Sequence, residues 1–460
     1  MWDPIIDGTL QAQAFETIEL IAPAIKKAAG PAVADPGRKS SKAGRKSQRR
    51  SGGVSQVSAA KTVGREEIDA SLASGSAGLA ILFAYLDQAR SGYGDKETAQ
   101  YFLEQAIDAV ASVPMDSSLY GGVTGVAWAM AHLRGWFLEA DHDATEAMDT
   151  LLRDSLSRRP WRGSYDLTQG LVGFGVYAME QLPKQIGIEC LAHVIDRLDE
   201  NAERTPDGIT WFTSWELLPA SQRRVSFIGN YNLGVAHGVP GVIAFLAQVC
   251  ALDERKIPGV TKVRAKARPL LDGAVAWLLA QKISAGAECV FPEWIFRGLS
   301  LRSSRVAWCY GDLGIAAALL AAASCMNDAN WEREAVRLAR RVAERSFDQS
   351  GVKDCALCHG AAGAGHLFNR MFQTSGESWL KDAALGWFQR ALEMRRPEGG
   401  IAGFAAFRLD HWSNEVGILE GAGGIALALL AGVTPNEPAW DRMLLISGAP
   451  PHACYGAAQL

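Results

Sequence analysis

No stretch of the sequence approaches the 18 or so consecutive apolar residues that a membrane-spanning helix needs, so no membrane span is expected. There is no excess of one charge either. Lys and Arg number 46 against 50 Asp and Glu, a net charge of -4, which gives no general case for a nucleic-acid partner. The opening Met1-Trp2-Asp3-Pro4 does not read as a signal peptide. The eight cysteines are scattered, and several, such as Cys250, sit in apolar helical patterns. That usage suits mostly free thiols and a cytoplasmic location. Strong strand signal is almost absent. What is present is hydrophobic content of 48% with 21% charged residues, enough for a large packed core and too much for general disorder. The 460 residues would suffice for two or three average domains, but large single-domain folds also reach this length.

The sequence is organised by a repeat. Gly-x-x-Gly precedes an apolar run at Gly75–Gly78, Gly122–Gly125, Gly170–Gly173, Gly238–Gly241, Gly311–Gly314, Gly360–Gly363 and Gly421–Gly424. The first glycines are 47, 48, 68, 73, 49 and 61 residues apart. The runs that follow, such as Leu79 to Phe83 and Ile425 to Leu430, are apolar on nearly every side, as buried helices are. Between them lie amphipathic stretches at Lys96–Val113, Ala144–Arg158, Ile186–Ala202, Val263–Ile283, Trp331–Phe347 and Trp379–Met394, and Gln11–Ala28 precedes the first copy. The chain thus alternates outer amphipathic helix, glycine turn and buried inner helix, seven times over, and such an array can form an open solenoid or a closed ring. An open solenoid would leave its concave helices polar. The sequence therefore predicts an all-α fold, an α/α toroid with seven inner and about seven outer helices, as a single domain over 1–460.

Three stretches interrupt the rhythm. Residues 30–64 are rich in Ser, Gly and basic residues, including Arg38, Lys39, Lys42, Arg45, Lys46, Arg49 and Arg50. They read as a flexible insert, either a solvated linker or an electrostatic hook for an acidic peptide or nucleic acid. Residues 203–235 carry Trp211, Trp215 and Tyr231, and residues 284–304 carry Phe291, Trp294 and Phe296. These aromatics could line a peptide groove or cap the ring's core.

Two of the glycine turns carry a cysteine at the same place. Cys309 stands two residues before Gly311 and Cys358 two before Gly360, with His359 beside it. In a ring these turns lie at one end, and the fifth and sixth repeats are neighbours. Cys309, Cys358 and His359 then supply the Cys2His set of a zinc site with an open fourth position. Read singly, either cysteine could be an ordinary buried thiol. Cys355-x-x-Cys358 has the spacing of a redox pair, but no second pair and no thioredoxin-like unit accompany it. His237, directly before Gly238, falls at the same ring end and is a catalytic candidate. Asp166, four residues before Gly170, could serve there or cap a helix. Arg305 could pair with a surface carboxylate.

Together, Tyr165-Asp166-x-x-x-Gly170, Ala236-His237-Gly238-x-x-Gly241, Arg305-x-x-Trp308-Cys309-Tyr310-Gly311 and Cys358-His359-Gly360 resemble the lanthionine synthetase C-like family of lantibiotic cyclases. The turn Gly417-Ile418-Leu419-Glu420-Gly421 is similar too, and the resemblance spans about residues 66 to 435. The basic insert and Cys355 have no counterpart in it. The resemblance implies the toroid with zinc at one end, Cys309, Cys358 and His359 as ligands, His237 and Asp166 as catalytic residues and Arg305 as a supporting group. It also implies the reaction, addition of a peptide cysteine thiol to dehydroalanine or dehydrobutyrine to form a (methyl)lanthionine thioether. The expected partner is a dehydrated precursor peptide, leader plus core, prepared by a separate dehydratase. A glutathione-adding enzyme of the same family, acting on dehydrated residues in proteins, is an alternative. So is a zinc-stabilised scaffold that binds peptides without catalysis. An α/α-barrel glycosidase would need paired carboxylates, for which the turns offer only Asp166, Asp312 and Glu420.

Overall fold

The sequence of small and branched apolar residues after each glycine turn leaves these helices no polar face, and in the computed structural model they are the inner wall of a ring. The described residues are 2–30, 69–136, 145–218, 220–224, 226–283, 288–296, 299–300, 304–408 and 410–448. All but the first residue of the basic insert expected at 30–64 lies outside them. The helices are α1 (Gly8–Ala29), α2 (Ser76–Ala89), α3 (Asp95–Ser112), α4 (Val123–His132), α5 (Glu146–Ser157), α6 (Leu171–Glu180), α7 (Gln185–Glu200), the short α8 (Ala220–Arg223), α9 (Val239–Cys250), α10 (Thr261–Ala280), α11 (Asp312–Met326), α12 (Ala329–Ala343), α13 (Ala361–Ser375), α14 (Ser378–Glu393) and α15 (Ala422–Val433).

Helices α2, α4, α6, α9, α11, α13 and α15 each pack on the next, and α15 packs back on α2, which closes the ring. Every residue of α15 is buried. The outer helix α12 instead buries only Ala335, Leu338, Ala339 and Val342, one stripe at helical spacing, and Asp328 caps its start by accepting from the Asn330 and Trp331 amides. The pairing runs in the opposite sense to the order expected from the sequence. Most inner helices lean chiefly on the outer helix that follows, as α2 on α3, α11 on α12 and α13 on α14, whereas α4 leans more on α3 before it than on α5 after it. That leaves α15 without a successor, and α1 fills the place from the other end of the chain. The Ile5 and Ile6 amides both donate to the Gly432 carbonyl at 3.0 Å.

The described residues also hold eight short strands that the sequence did not signal. β1 (Glu203–Thr205) and β2 (Gly208–Thr210) form a hairpin. β3 (Phe212–Ser214), β4 (Gly229–Asn232), β5 (Trp294–Phe296) and β6 (Leu299–Ser300) form one antiparallel sheet, and β7 (Ala406–Arg408) pairs with β8 (His411–Ser413). Strands of two to four residues are too short to show an alternating pattern. The β4–β5 pairing joins the two aromatic insertions, Tyr231 opposite Ile295. Trp211 and Phe291 are buried and cap the core, whereas Trp215 is exposed.

Candidate metal centre

The glycine turns lie side by side at the N-terminal ends of the inner helices. A near-continuous circle of backbone hydrogen bonds links the residue two before each first glycine. Ala73 donates to Tyr120, Thr168 to Ala236, Ala236 to Cys309, Cys309 to Cys358, Cys358 to Leu419, and Leu419 to Ala73. The turns are held this close because a glycine starts each helix. At Gly311, φ is 110°, a region side chains avoid, and a Cβ there would lie 2.0 Å from the Arg305 carbonyl oxygen.

Within this circle Cys309, Cys358 and His359 come together. Their ligand atoms all lie within 4.8 Å of one another, although the two cysteines are 49 residues apart in sequence. Hydrogen bonding from the Cys358 thiol pulls Cys309 well below the ordinary thiol range against the penalty of burial, helped by His359 and the Arg305 guanidinium. Cys358, which donates that hydrogen bond to Cys309 and is buried beside its charge, is pushed up. His359 Nδ1 is buried with no hydrogen-bond partner, while its Nε2 lies 3.7 Å from Asp354 Oδ2. This is how an imidazole stands when one nitrogen is a ligand and a carboxylate backs the other. Two sulfurs and an orphaned imidazole nitrogen make a group that could hold a metal ion.

The Cys355 thiol is turned away and donates to the Ala391 carbonyl at 3.4 Å, so it belongs to the packing of the turn before α13 against α14. Arg305 forms no ion pair among the described residues. Its Nη2 points to Cys309 Sγ at 3.7 Å. It also lines two clefts of about 700 and 690 Å³, the first lined by Asp354, His359, Phe407, Arg408 and Glu420 as well.

His237 Nδ1 meets Asp166 Oδ2 at 2.8 Å and Thr168 Oγ1 at 2.9 Å. Asp166 caps no helix, since Gly170 occupies that position before α6. Its Oδ1 accepts the Gln169 amide at 2.7 Å, which fixes the carboxylate toward His237. The imidazole stacks on Tyr310, whose hydroxyl accepts from Gln222 at 2.8 Å and Asn232 at 3.0 Å. Thus all six residues singled out from the sequence stand on the circle of turns. Thr168, Tyr310 and Asp354 join them unannounced. Thr168 and Tyr310 occupy the positions of Cys309 and His359 in their own repeats, a signal that comparison of the seven turns could have read. Asp312 is accounted for otherwise. It is buried, accepts from the Val290 and Phe291 amides and pairs with Arg345, so no carboxylate pair of a glycosidase is formed there.

The fold and the turns define a closed helical toroid with a Cys2His group and a His–Asp pair at one end. A family model for lanthionine synthetase C-like proteins matches residues 66–445, and the chain belongs to that family. Among solved structures it is similar to nisin cyclase, with a TM-score of 0.66 at 18% identity over 83% of this chain and 93% of that one. No curated protein sequence matches it.

Proposed function

We propose that the protein is a zinc-dependent lanthipeptide cyclase of the cytoplasm. It would join peptide cysteine thiols to dehydroalanine or dehydrobutyrine and form (methyl)lanthionine rings in a precursor dehydrated beforehand by a separate enzyme. The observation that carries this reading is the Cys309–Cys358–His359 group beside the His237–Asp166 pair. The donor set is that of a catalytic zinc, three protein ligands with a fourth position for the substrate. Zinc held there would keep a substrate thiol, whose free pKa is about 8.5, as the thiolate at neutral pH.

The chain's own groups do the rest. Asp166 and Thr168 hold His237 by Nδ1, and Nε2 has no partner among the described residues. The substrate thiol would give up its proton to solvent as it binds, and that nitrogen of His237 carries a proton of its own. Sulfur bonds to the β-carbon, the double-bond pair moves toward the carbonyl, and His237 gives its proton to the α-carbon. Arg305, which lines both clefts, offsets thiolate charge and offers its remaining N–H groups to the enolate oxygen.

The test is incubation of the zinc-loaded protein with a dehydrated peptide containing cysteine, and separately with glutathione and a cysteine-free dehydrated peptide. The cyclase reading predicts loss of alkylatable thiol without change of peptide mass, slowed about 10²–10⁴-fold in His237→Ala. Glutathione adducts without ring closure would support the glutathione-adding alternative, and neither product would leave a scaffold.

A further inference from the structure

Seven inner helices cannot close on themselves without a gap. At interaxial distances of 8–10 Å their axes stand about 10 Å from the centre, and helices of ~5 Å radius leave an axial space roughly 10 Å across. Protein interiors do not tolerate such a void. Here it is filled by the segment after α15. Residues 440–447 are all buried, and they bond to inner elements on several sides of the ring. Asp441 accepts from His366 and Arg370 on α13, Arg442 lies 3.5 Å from Glu180 on α6, and the Ser447 carbonyl accepts from Gln248 on α9.

The segment is a loop that includes the 3-10 turns of Ala439–Leu444, and its tip reaches the turns of the metal centre. Glu437 pairs with Arg370 toward the C-terminal end of α13, and Gly448 lies against Ser324 near the end of α11. Between them the Met443 carbonyl accepts from the Tyr120 hydroxyl at 2.7 Å and the Leu444 carbonyl accepts from Trp308 Nε1 at 2.9 Å. Leu445 turns the chain with φ 56° while fully buried. The left-handed conformation costs about 1–2 kcal/mol, which burial of a leucine, ~1.5–3 kcal/mol, offsets. Tyr120 and Trp308 meet edge to face at 6.0 Å. Trp308 is bonded directly to Cys309, and both their amides donate to the Cys358 carbonyl. Tyr120 stands in the circle of turns beside Ala73.

We infer that the axial loop, residues 434–448, positions the Cys309 and Cys358 turns from inside the ring through Trp308 and Tyr120. The inference rests on the metal reading above. Trp308 and Tyr120 act through the ligands and do not touch substrate.

The test uses Trp308→Phe and Tyr120→Phe, which remove one donor each and keep an aromatic ring. Metal-free wild type and both variants are titrated with cobalt(II), read by the thiolate-to-cobalt absorption band, and competed with a chelator. Circular dichroism and thermal unfolding of the metal-free forms report on folding. The inference predicts a folded protein in which each substitution weakens metal binding about 10-fold or more and alters the band, as loss of outer-shell support does. Wild-type affinity and band in both variants would overturn it and leave the loop as packing alone. A wild type with no thiolate–cobalt band would overturn the metal reading, and this inference with it.

Discussion

His237 illustrates how one neighbour sets a residue's chemistry. Burial disfavours the imidazolium, but the hydrogen bond and charge of Asp166, with the charge on Cys309, outweigh it and raise the pKa. His237 therefore keeps its proton to higher pH than a free imidazole. In the proposed reaction it donates to the α-carbon and must be protonated, so the rate is expected to fall as pH rises through that raised pKa. Asp166→Asn removes the largest raising influence, and the basic limb of kcat against pH should move to lower pH. A limb that stays in place would remove Asp166 from this role. The residues of the site were legible where chemistry is unusual, as with cysteines at matched repeat positions. Thr168 and Tyr310 were marked only by standing at the positions of Cys309 and His359 in their own repeats, with residue types ordinary in turns, and Asp354 was not marked, because its role depends on a contact the sequence does not show.

At the scale of the element, the glycines divide by what surrounds them. A Cβ at Gly363, on α13, would lie 1.9 Å from the carbonyl oxygen of Leu357, the residue before Cys358. A Cβ at Gly386, on the outer helix α14, meets nothing within 4 Å. Gly363→Ala should destabilise by about 1–3 kcal/mol, since the turn must move. Gly386→Ala should stabilise by ~0.5–1 kcal/mol by removing backbone freedom from the unfolded chain. Denaturant unfolding of the two variants checks both, and a harmless alanine at Gly363 would contradict the close packing of turns. Helix positions were readable to within a few residues because their apolar patterns are long. The strands were not, because β4 and β5 are specified by each other across some 60 residues of sequence.

The whole molecule converts a repeat into a site. Asp166, His237, Cys309 and Cys358 come from the third, fourth, fifth and sixth turns, and only closure of the ring puts them on one arc. That closure could be inferred from seven apolar helices that no open solenoid would solvate. The loop along its axis could not. Asp441 and Arg442 look like surface charges in sequence, and only the partners Arg370, His366 and Glu180 explain their burial. The claim on which the account turns is that two distant cysteines and one histidine bind a single metal ion. It is tested most directly by zinc content, measured by elemental analysis on wild type, Cys309→Ala, Cys358→Ala and Cys355→Ala. The account predicts about one zinc per chain in wild type and Cys355→Ala, and loss of it in the other two. A wild type purified without chelators that holds no zinc, or a Cys309→Ala variant that keeps it, would contradict the account.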